Sequence, residues 1–314
     1  MKKIVVVLGP TSSGKSDIAI KLAKKFDGEI ISADSRQIYR GMDIGTGKVL
    51  GNPISNWKSG FQVWMSHGIP HYMISFVSSR TKYNVAKFKR QAEKIIEGIL
   101  KRGKLPIICG GTGFWIQAIV DNVSFPEVKP DWKLRRRLDK HSAEKLFAIL
   151  KRLDPARAKT IDSKNKARLI RAIEICKKIK KVPRIENIPL RGTTRRVAQY
   201  KFLQIGIKLP KERLYKNIEK RVKARFKQGM VAEVEKLHKQ GLSWKKIQSF
   251  GLAYFWIPLY LQDKLTKTEL VEKITNAEKK YAKRQMTWFR RDSRIKWLKN
   301  YSQTEKTVKK FTRH

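Results

Sequence analysis

Short apolar runs alternate with amphipathic stretches over the first third of the chain. Residues 3–8 are almost entirely apolar and β-branched, which predicts a strand buried on both faces. Residues 14–26 have the pattern of a helix, residues 29–34 that of a second strand, and residues 105–109 that of a third. Strands that alternate with helices predict an α/β fold, a parallel sheet flanked by helices, with ligands at the carboxyl ends of the strands.

The pattern changes near Asp131. From there to Pro183 no strand is predicted, and leucine and isoleucine recur at helical spacing among lysine and arginine. The apolar positions are Leu134, Leu138, Leu146, Ile149, Leu153, Leu169, Ile173 and Ile175. This pattern predicts an all-helical insertion, residues 126–194, in a core made of residues 1–125 and 195–300.

The strand pattern returns after the insertion. Residues 202–207 predict a further core strand, and residues 211–238 and 268–290 predict two long helices. The final stretch, residues 301–314, is polar and basic, and we expect it to be a frayed tail.

Charge points to a polyanionic partner. The chain carries 72 Lys and Arg against 26 Asp and Glu, a formal net charge of +46. Such an excess favours nucleic acid as the partner, although a generally basic proteome would give the same bias. Only Cys109 and Cys176 are present, which argues against a disulfide framework or a zinc site. No run reaches the ~18 apolar residues of a membrane span, so we expect a cytoplasmic protein with no membrane contact.

A phosphate-binding motif follows the first strand and opens the first helix. It consists of Gly9, Pro10, Thr11, Ser12, Ser13, Gly14, Lys15 and Ser16, which fits G-x-x-x-x-G-K-[ST]. Backbone N–H groups of such a loop bind phosphate oxygens, the lysine neutralises charge, and Ser16 is placed to bind Mg²⁺. The motif leaves open nucleotide hydrolysis, phosphoryl transfer and use of diphosphate as a leaving group. An ordinary ATPase also needs a strand-end aspartate for Mg²⁺, and only Asp34 is available.

Six further segments carry family-level information, residues 32–48, 69–72, 83–88, 105–113, 168–174 and 281–290. Together with the P-loop they resemble the tRNA dimethylallyltransferase (isopentenyltransferase) family. They follow the order of the family over nearly the whole chain. The resemblance implies a P-loop NTPase-like core with an inserted helical tRNA-binding domain.

The resemblance also implies an activity. Family members use Mg²⁺ and transfer a dimethylallyl group from dimethylallyl diphosphate to N6 of adenine 37, in tRNAs that read codons beginning with U. The product is N6-(dimethylallyl)adenosine, and the enzymes generally act as monomers on the anticodon stem-loop. An adenine stacked in that loop must be flipped out to expose N6.

Three residues match catalytic positions of the family: Asp34, Thr112 and Arg221. An aromatic amine is a poor nucleophile, so a carboxylate that accepts the N6 proton assists the reaction, and Asp34 matches this role. A cation held against the departing diphosphate stabilises the transition state, and Arg221 matches the family position with that role. Positions that match tRNA contacts are Asp34, Ser35, Arg36, Gln37, Thr112, Arg135, Ala167, Arg168, Leu169, Ile170 and Arg171.

One further tRNA-contact segment departs from the family. It comprises Ser249, Phe250, Gly251, Leu252, Ala253 and Tyr254, where the family usually has Ile/Val-Gly-Tyr/Phe-Lys/Arg-Glu/Gln. A charge and an aromatic residue are therefore absent from their usual positions. Two other functions remain open at this stage, a P-loop kinase of a nucleoside or small metabolite and a basic RNA-binding module that does no chemistry.

Overall fold

The computed structural model describes residues 1–54, 60–183 and 200–313. The chain forms two compact units, one made of Met1–Asn122 and Arg195–His314 and the other of Val123–Thr194. In the described residues the first unit contains one eight-stranded sheet, and the second contains only helices. The predicted α/β class, a parallel-dominated sheet flanked by helices, is confirmed.

Six strands of the sheet are parallel. Their bounds are β1 Lys2–Leu8, β2 Gly28–Ser32, β5 Ile69–Tyr72, β6 Leu105–Gly110, β7 Tyr200–Ile207 and β8 Lys296–Leu298. Two antiparallel strands, β3 Asn52–Ile54 and β4 Val63–Ser66, extend one edge, giving the order β3-β4-β5-β2-β6-β1-β7-β8. The carboxyl ends of β1, β2 and β6 therefore lie side by side, where α/β sheets bind ligands.

Strand β1 is buried on both faces, as its continuous apolar pattern predicts. Ile4, Val6 and Leu8 belong to one hydrophobic cluster, and Val5 and Val7 belong to a second cluster on the other face. Successive strand side chains point to opposite faces, so an apolar residue at every position is required when helices cover both.

The helices of the first unit cover this sheet. Their bounds are α1 Lys15–Lys25, α2 Val85–Lys101, α3 Gly113–Val120, α8 Lys211–Lys227, α9 Met230–Lys239, α10 Trp244–Gln248, α11 Ala253–Tyr260, α12 Lys267–Phe289 and α13 Tyr301–Arg313. No helix in residues 1–54, 60–183 and 200–313 combines the length and the apolar character needed to cross a bilayer.

The second unit is built from four helices in its described part, α4 Trp132–Asp139, α5 Ala143–Leu153, α6 Pro155–Ala158 and α7 Lys166–Ile179. They enclose a separate small core that includes Leu146, Leu150, Leu169 and Ile173, all fully buried. Seven of the eight predicted apolar positions are buried or half-buried, whereas Leu153, at the end of α5, is 38% exposed and does not belong to this core.

Two sequence predictions were wrong in detail. The single helix expected over residues 211–238 is two helices, α8 and α9, because Gly229 at φ +92° turns the chain between them. The expected frayed tail is helix α13, whose Val308 is fully buried in the cluster that contains Val5 and Val7. The tail is anchored because one apolar face of a mostly polar helix is enough to pack against the core.

Candidate active site

The P-loop joins β1 to α1 and is held by contacts from distant parts of the chain. Its Gly9 and Gly14 have φ +156° and +81°, and the left-handed Gly14 directly precedes α1. The Thr11 N–H donates to Gln285 Oε1 at 2.8 Å, and Gln285 Nε2 donates to the Gly111 carbonyl at 2.9 Å. Gln285 is buried, so this amide fixes the P-loop against the end of β6.

Lys15 is enclosed beneath the loop. Its Nζ donates to the Pro10 carbonyl at 3.2 Å. Burial lowers the pKa of Lys15, and the nearby Arg221 guanidinium lowers it further, whereas Asp34 acts in the opposite direction. An anion that joins these two cations, as a bound phosphate does, compensates the repulsion between them.

Asp34 stands just beyond the carboxyl end of β2. Its Oδ1 accepts hydrogen bonds from the backbone N–H groups of Arg36 at 2.8 Å and Gln37 at 3.4 Å. Its second oxygen accepts no hydrogen bond from a described residue. The turn therefore fixes the carboxylate through one oxygen and leaves the other to accept a proton.

Thr112 lies opposite this turn, between β6 and α3. The Ser35 N–H donates to Thr112 Oγ1 at 3.1 Å, and Tyr281 of α12 lies near the same threonine. Burial raises the pKa of Tyr281 well above its usual value, with a contribution from the negative charge of Asp34. Thr112 thus connects the aspartate turn to the start of α3.

Arg221 projects from α8 onto the P-loop. Its Nη1 lies 3.1 Å from Thr11 Oγ1 and 3.5 Å from Ser12 Oγ, and its Nη2 donates to the Gly47 carbonyl at 3.3 Å. Burial lowers its pKa to about 10, and the charge of Arg225 adds to that effect. The guanidinium stays charged at neutral pH and lies where it can contact an anion held by the loop.

Lys15, Asp34 and Arg221 line one cavity of about 250 Å³. Thr112 is not among its lining residues and contacts it through Ser35. The charged lining residues of the cavity are Lys15, Asp34, Arg36, Arg221, Arg225, Glu278 and Arg284, and its other lining residues include Thr11, Ser16, Gln37, Phe250, Leu252, Tyr254 and Tyr281. Five cationic side chains face two carboxylates, so the cavity suits an anionic ligand with several negative charges.

Known proteins resemble this chain over its whole length. The family model described as IPP transferase matches residues 37–292. The chain belongs to the IPP transferase family. It is 40% identical to the tRNA dimethylallyltransferase of Acetivibrio thermocellus, over 98% of this chain and 96% of that protein, and 39% identical to that of Pelotomaculum thermopropionicum, over 99% and 95%. The crystal structure of tRNA delta(2)-isopentenylpyrophosphate transferase from Staphylococcus epidermidis matches with a TM-score of 0.67 and 34% identity, covering 100% of this chain and 99% of that one.

The tRNA-contact residues expected for an IPP transferase fall into three groups, of which the third is the segment 249–254. Ser35, Arg36 and Gln37 follow Asp34 at the cavity. Arg135, Ala167, Arg168, Leu169, Ile170 and Arg171 lie in the helical unit. There Leu169 and Ile170 are buried in the core, so their side chains are not surface contacts, whereas Ala167 and Arg168 are exposed.

Arg135 and Arg171 are both bound to the buried Glu174. Arg135 donates to it at 2.8 and 2.6 Å, Arg171 donates to the same carboxylate, and the Asp131 N–H donates at 2.7 Å. Burial of Glu174 opposes ionisation, but these hydrogen bonds outweigh it and lower the pKa of the carboxyl. Both arginines remain part-exposed, so each is held in one orientation with donors left for another ligand.

The segment that departs from the usual IPP transferase pattern forms part of the cavity wall. Phe250, Ala253 and Tyr254 are buried, Gly251 and Leu252 line the cavity, and Ser249 is exposed. Leu252 has φ +50°, a strained value for leucine, at the start of α11. The segment is therefore mainly a support for the cavity and presents little polar surface.

Glu233 supports the loop before Gly47 and was not among the residues predicted from the sequence. Its carboxylate accepts the backbone N–H groups of residues 43, 44 and 45 at 2.7, 2.6 and 3.0 Å. The Tyr254 hydroxyl donates to the same carboxylate at 2.7 Å. Nothing in the local pattern of a charged residue on an amphipathic helix distinguishes this glutamate from its solvated neighbours.

Glu233→Ala is expected to lower the free energy of unfolding by about 3 kcal/mol, because it removes the acceptor of three backbone donors. Tyr254→Phe removes one of the four hydrogen bonds and is expected to cost about 1 kcal/mol. Glu235→Ala on the same helix breaks only the exposed pair with Lys239 and is the control, within about 0.5 kcal/mol of wild type. Urea unfolding measures all three, and equal losses for Glu233→Ala and Glu235→Ala would show that Glu233 does not brace the loop.

Proposed function

We propose that this protein transfers a dimethylallyl group from dimethylallyl diphosphate to N6 of adenine 37 in tRNA, and acts as a monomer on the anticodon stem-loop. The observation that carries the proposal is the cavity in which the P-loop, Arg221 and Asp34 face one another. It combines a site for a diphosphate with a carboxylate that has one free oxygen. The names of the bacterial relatives, tRNA dimethylallyltransferases, agree with that chemistry.

The diphosphate is expected to bind at the P-loop. Backbone N–H groups at the start of α1 and the Lys15 ammonium would contact the oxygens of the diphosphate. Arg221 would contact the diphosphate from α8, on the side of Thr11. As the bond between carbon 1 and oxygen breaks, the leaving group takes the electron pair and gains charge. Fixed cations stabilise that state more than the ground state, which accelerates the step.

The acceptor nitrogen attacks carbon 1 of the dimethylallyl group. A carbon–nitrogen bond forms as the carbon–oxygen bond breaks, and N6 loses a proton to the free oxygen of Asp34. The hydrogen bonds from Arg36 and Gln37 hold that carboxylate in place. For N6 to reach it, the adenine must leave the stacked anticodon loop and enter the cavity.

Mg²⁺ fits this site as a partner of the diphosphate. Ser16 lines the cavity with its hydroxyl at the start of α1, and the described residues contain no cluster of three or more His, Cys, Asp or Glu for an all-protein metal site. Such an arrangement suits Mg²⁺, which usually binds through substrate phosphates and a few protein oxygens. Bound there, the ion would neutralise charge on the leaving diphosphate.

The test is a product analysis. Purified protein is incubated with unmodified tRNA, Mg²⁺ and dimethylallyl diphosphate, and the tRNA is digested to nucleosides for mass spectrometry. N6-(dimethylallyl)adenosine is expected in the digest of tRNAs that read codons beginning with U, and in no reaction without the diphosphate. A digest without this nucleoside would contradict the proposal, and phosphate transfer from ATP to a small acceptor would indicate a kinase instead.

A further inference from the structure

Arg221 and Arg225 lie one turn apart on α8 and approach the same glycine. Gly47 has no Cβ, and both guanidinium groups occupy the space beside it. An ideal Cβ built on Gly47 would lie 1.9 Å from Arg221 Nη2 and 2.3 Å from Arg225 Nη2. Two guanidinium groups therefore lie against each other at the wall of the cavity, and Arg225 is 4% exposed. Two like charges at this separation, the half-buried Arg221 and the buried Arg225, repel each other, so a compensating anion stabilises the arrangement.

Glu278 supplies part of that compensation. Its Oε1 accepts from Arg225 Nη1 at 3.0 Å, and both side chains are 5% exposed. The same arginine makes no other hydrogen bond to a described residue, which leaves Nε and Nη2 without a protein acceptor. Since Nη2 is the nitrogen beside Gly47 and Arg221, an anion placed against Arg221 is also within reach of Arg225.

We propose that Arg225 is a second arginine ligand of the donor's diphosphate, and that Glu278 limits how tightly the diphosphate is held. The proposal rests on the proposed function, because it assigns a diphosphate to this cavity. Lys15, Arg221 and Arg225 together bring three positive charges to the ligand. Glu278 offsets the third, which allows the product diphosphate to leave.

A buried ion pair that only fills space predicts different behaviour. Such pairs add little net stability, and replacing both partners by neutral groups of similar shape is often nearly neutral. A purely structural Arg225–Glu278 pair would therefore leave diphosphate affinity unchanged when both residues become glutamine. With such a pair, diphosphate affinity would also not rise when only Glu278 is neutralised by substitution with glutamine.

The test measures binding of inorganic diphosphate to the full-length protein by isothermal titration calorimetry. Glu278→Gln is expected to lower the Kd about 10-fold, because Arg225 keeps its charge and its acceptor oxygen. The double variant Arg225→Gln/Glu278→Gln is expected to raise the Kd about 10-fold, because one charge-assisted hydrogen bond to the ligand is lost. Lys223→Gln removes an exposed cation of the same helix and is the control, with a Kd within about twofold of wild type.

Steady-state kinetics provide a second readout that a structural role would not change in the same way. Glu278→Gln is expected to lower both KM for dimethylallyl diphosphate and kcat, because tighter binding slows product release. Unchanged diphosphate affinity in both variants, with melting temperatures that show them folded, would overturn the proposal. The double variant leaves no unpaired buried charge and is therefore expected to fold even if Glu278→Gln does not. Its Kd for inorganic diphosphate then tests whether Arg225 contacts the ligand.

These outcomes are separate from those of the proposed function. Calorimetry with inorganic diphosphate needs neither tRNA nor a prenyl donor. A wild-type protein that forms no prenylated nucleoside, but whose Kd responds to both substitutions, would refute the proposed reaction and keep the arginine assignment. If the wild-type protein forms the nucleoside but neither variant changes the Kd for inorganic diphosphate, the proposed reaction is supported and the arginine assignment is refuted.

Discussion

Asp34→Asn is expected to lower kcat/KM for prenyl transfer by about 10²- to 10⁴-fold, the usual contribution of a general base. The substitution removes only the proton acceptor, because asparagine keeps the oxygen that accepts hydrogen bonds from the Arg36 and Gln37 N–H groups. The turn therefore stays folded while the free oxygen is replaced by an amide nitrogen, which cannot accept a proton. Nucleoside mass spectrometry over a time course gives the rate.

Binding measurements show whether that loss is chemical. The affinity of Asp34→Asn for tRNA is expected to stay within about threefold of wild type, since binding does not need the proton acceptor. Its affinity for inorganic diphosphate is expected not to fall, because the substitution removes a negative charge from the cavity. Asp27→Asn, an exposed aspartate paired with Lys104, is the matched control and should leave the rate unchanged. Wild-type activity in Asp34→Asn would remove the general base from the mechanism.

Arg221→Gln is expected to lower kcat/KM by about 10²- to 10³-fold, the size of effect seen when one donor to a developing oxyanion is removed. The loss should appear mainly in kcat, because the charge of the leaving diphosphate grows in the transition state. Steady-state kinetics with dimethylallyl diphosphate as the varied substrate separate the two parameters.

Arg221→Lys tests whether charge alone is sufficient. Arginine here reaches Thr11, Ser12 and Gly47 with two nitrogens, and a lysine ammonium cannot span them. An intermediate rate is therefore expected. Arg213→Gln, an exposed cation at the start of the same helix, is the control with wild-type kinetics. A loss in Arg213→Gln as large as in Arg221→Gln would indicate a general charge effect and not a diphosphate contact.

The P-loop and the parallel core were predictable because their signals are local. Continuous β-branched residues define β1, and glycines at fixed spacing mark the turn into α1. The strands β3, β4, β5 and β8 have three or four residues each, too few for a periodic signal. Gly229 was visible in the sequence, but a glycine does not show whether a helix pattern continues through it or ends.

The missed parts of the site depend on contacts between distant segments. Gln285 reaches Thr11 from 274 positions away, and Glu278 pairs with Arg225 across 53 positions. Each is a polar residue in an amphipathic helix, and only the packing of α12 against the core shows that it faces the cavity. Local pattern identifies such a helix, whereas the choice of its buried polar residues is fixed by tertiary structure.

The stoichiometry of phosphate release tests the proposed reaction most directly. In that reaction the P-loop holds a diphosphate that leaves intact when its hydrocarbon group is transferred. Dimethylallyl diphosphate labelled at the terminal phosphate is incubated with the protein, Mg²⁺ and tRNA, and released phosphates and prenylated nucleoside are counted together. We predict one inorganic diphosphate for each N6-(dimethylallyl)adenosine, with no requirement for ATP. Orthophosphate released from ATP as the obligatory reactant, with the tRNA unchanged, would contradict the account.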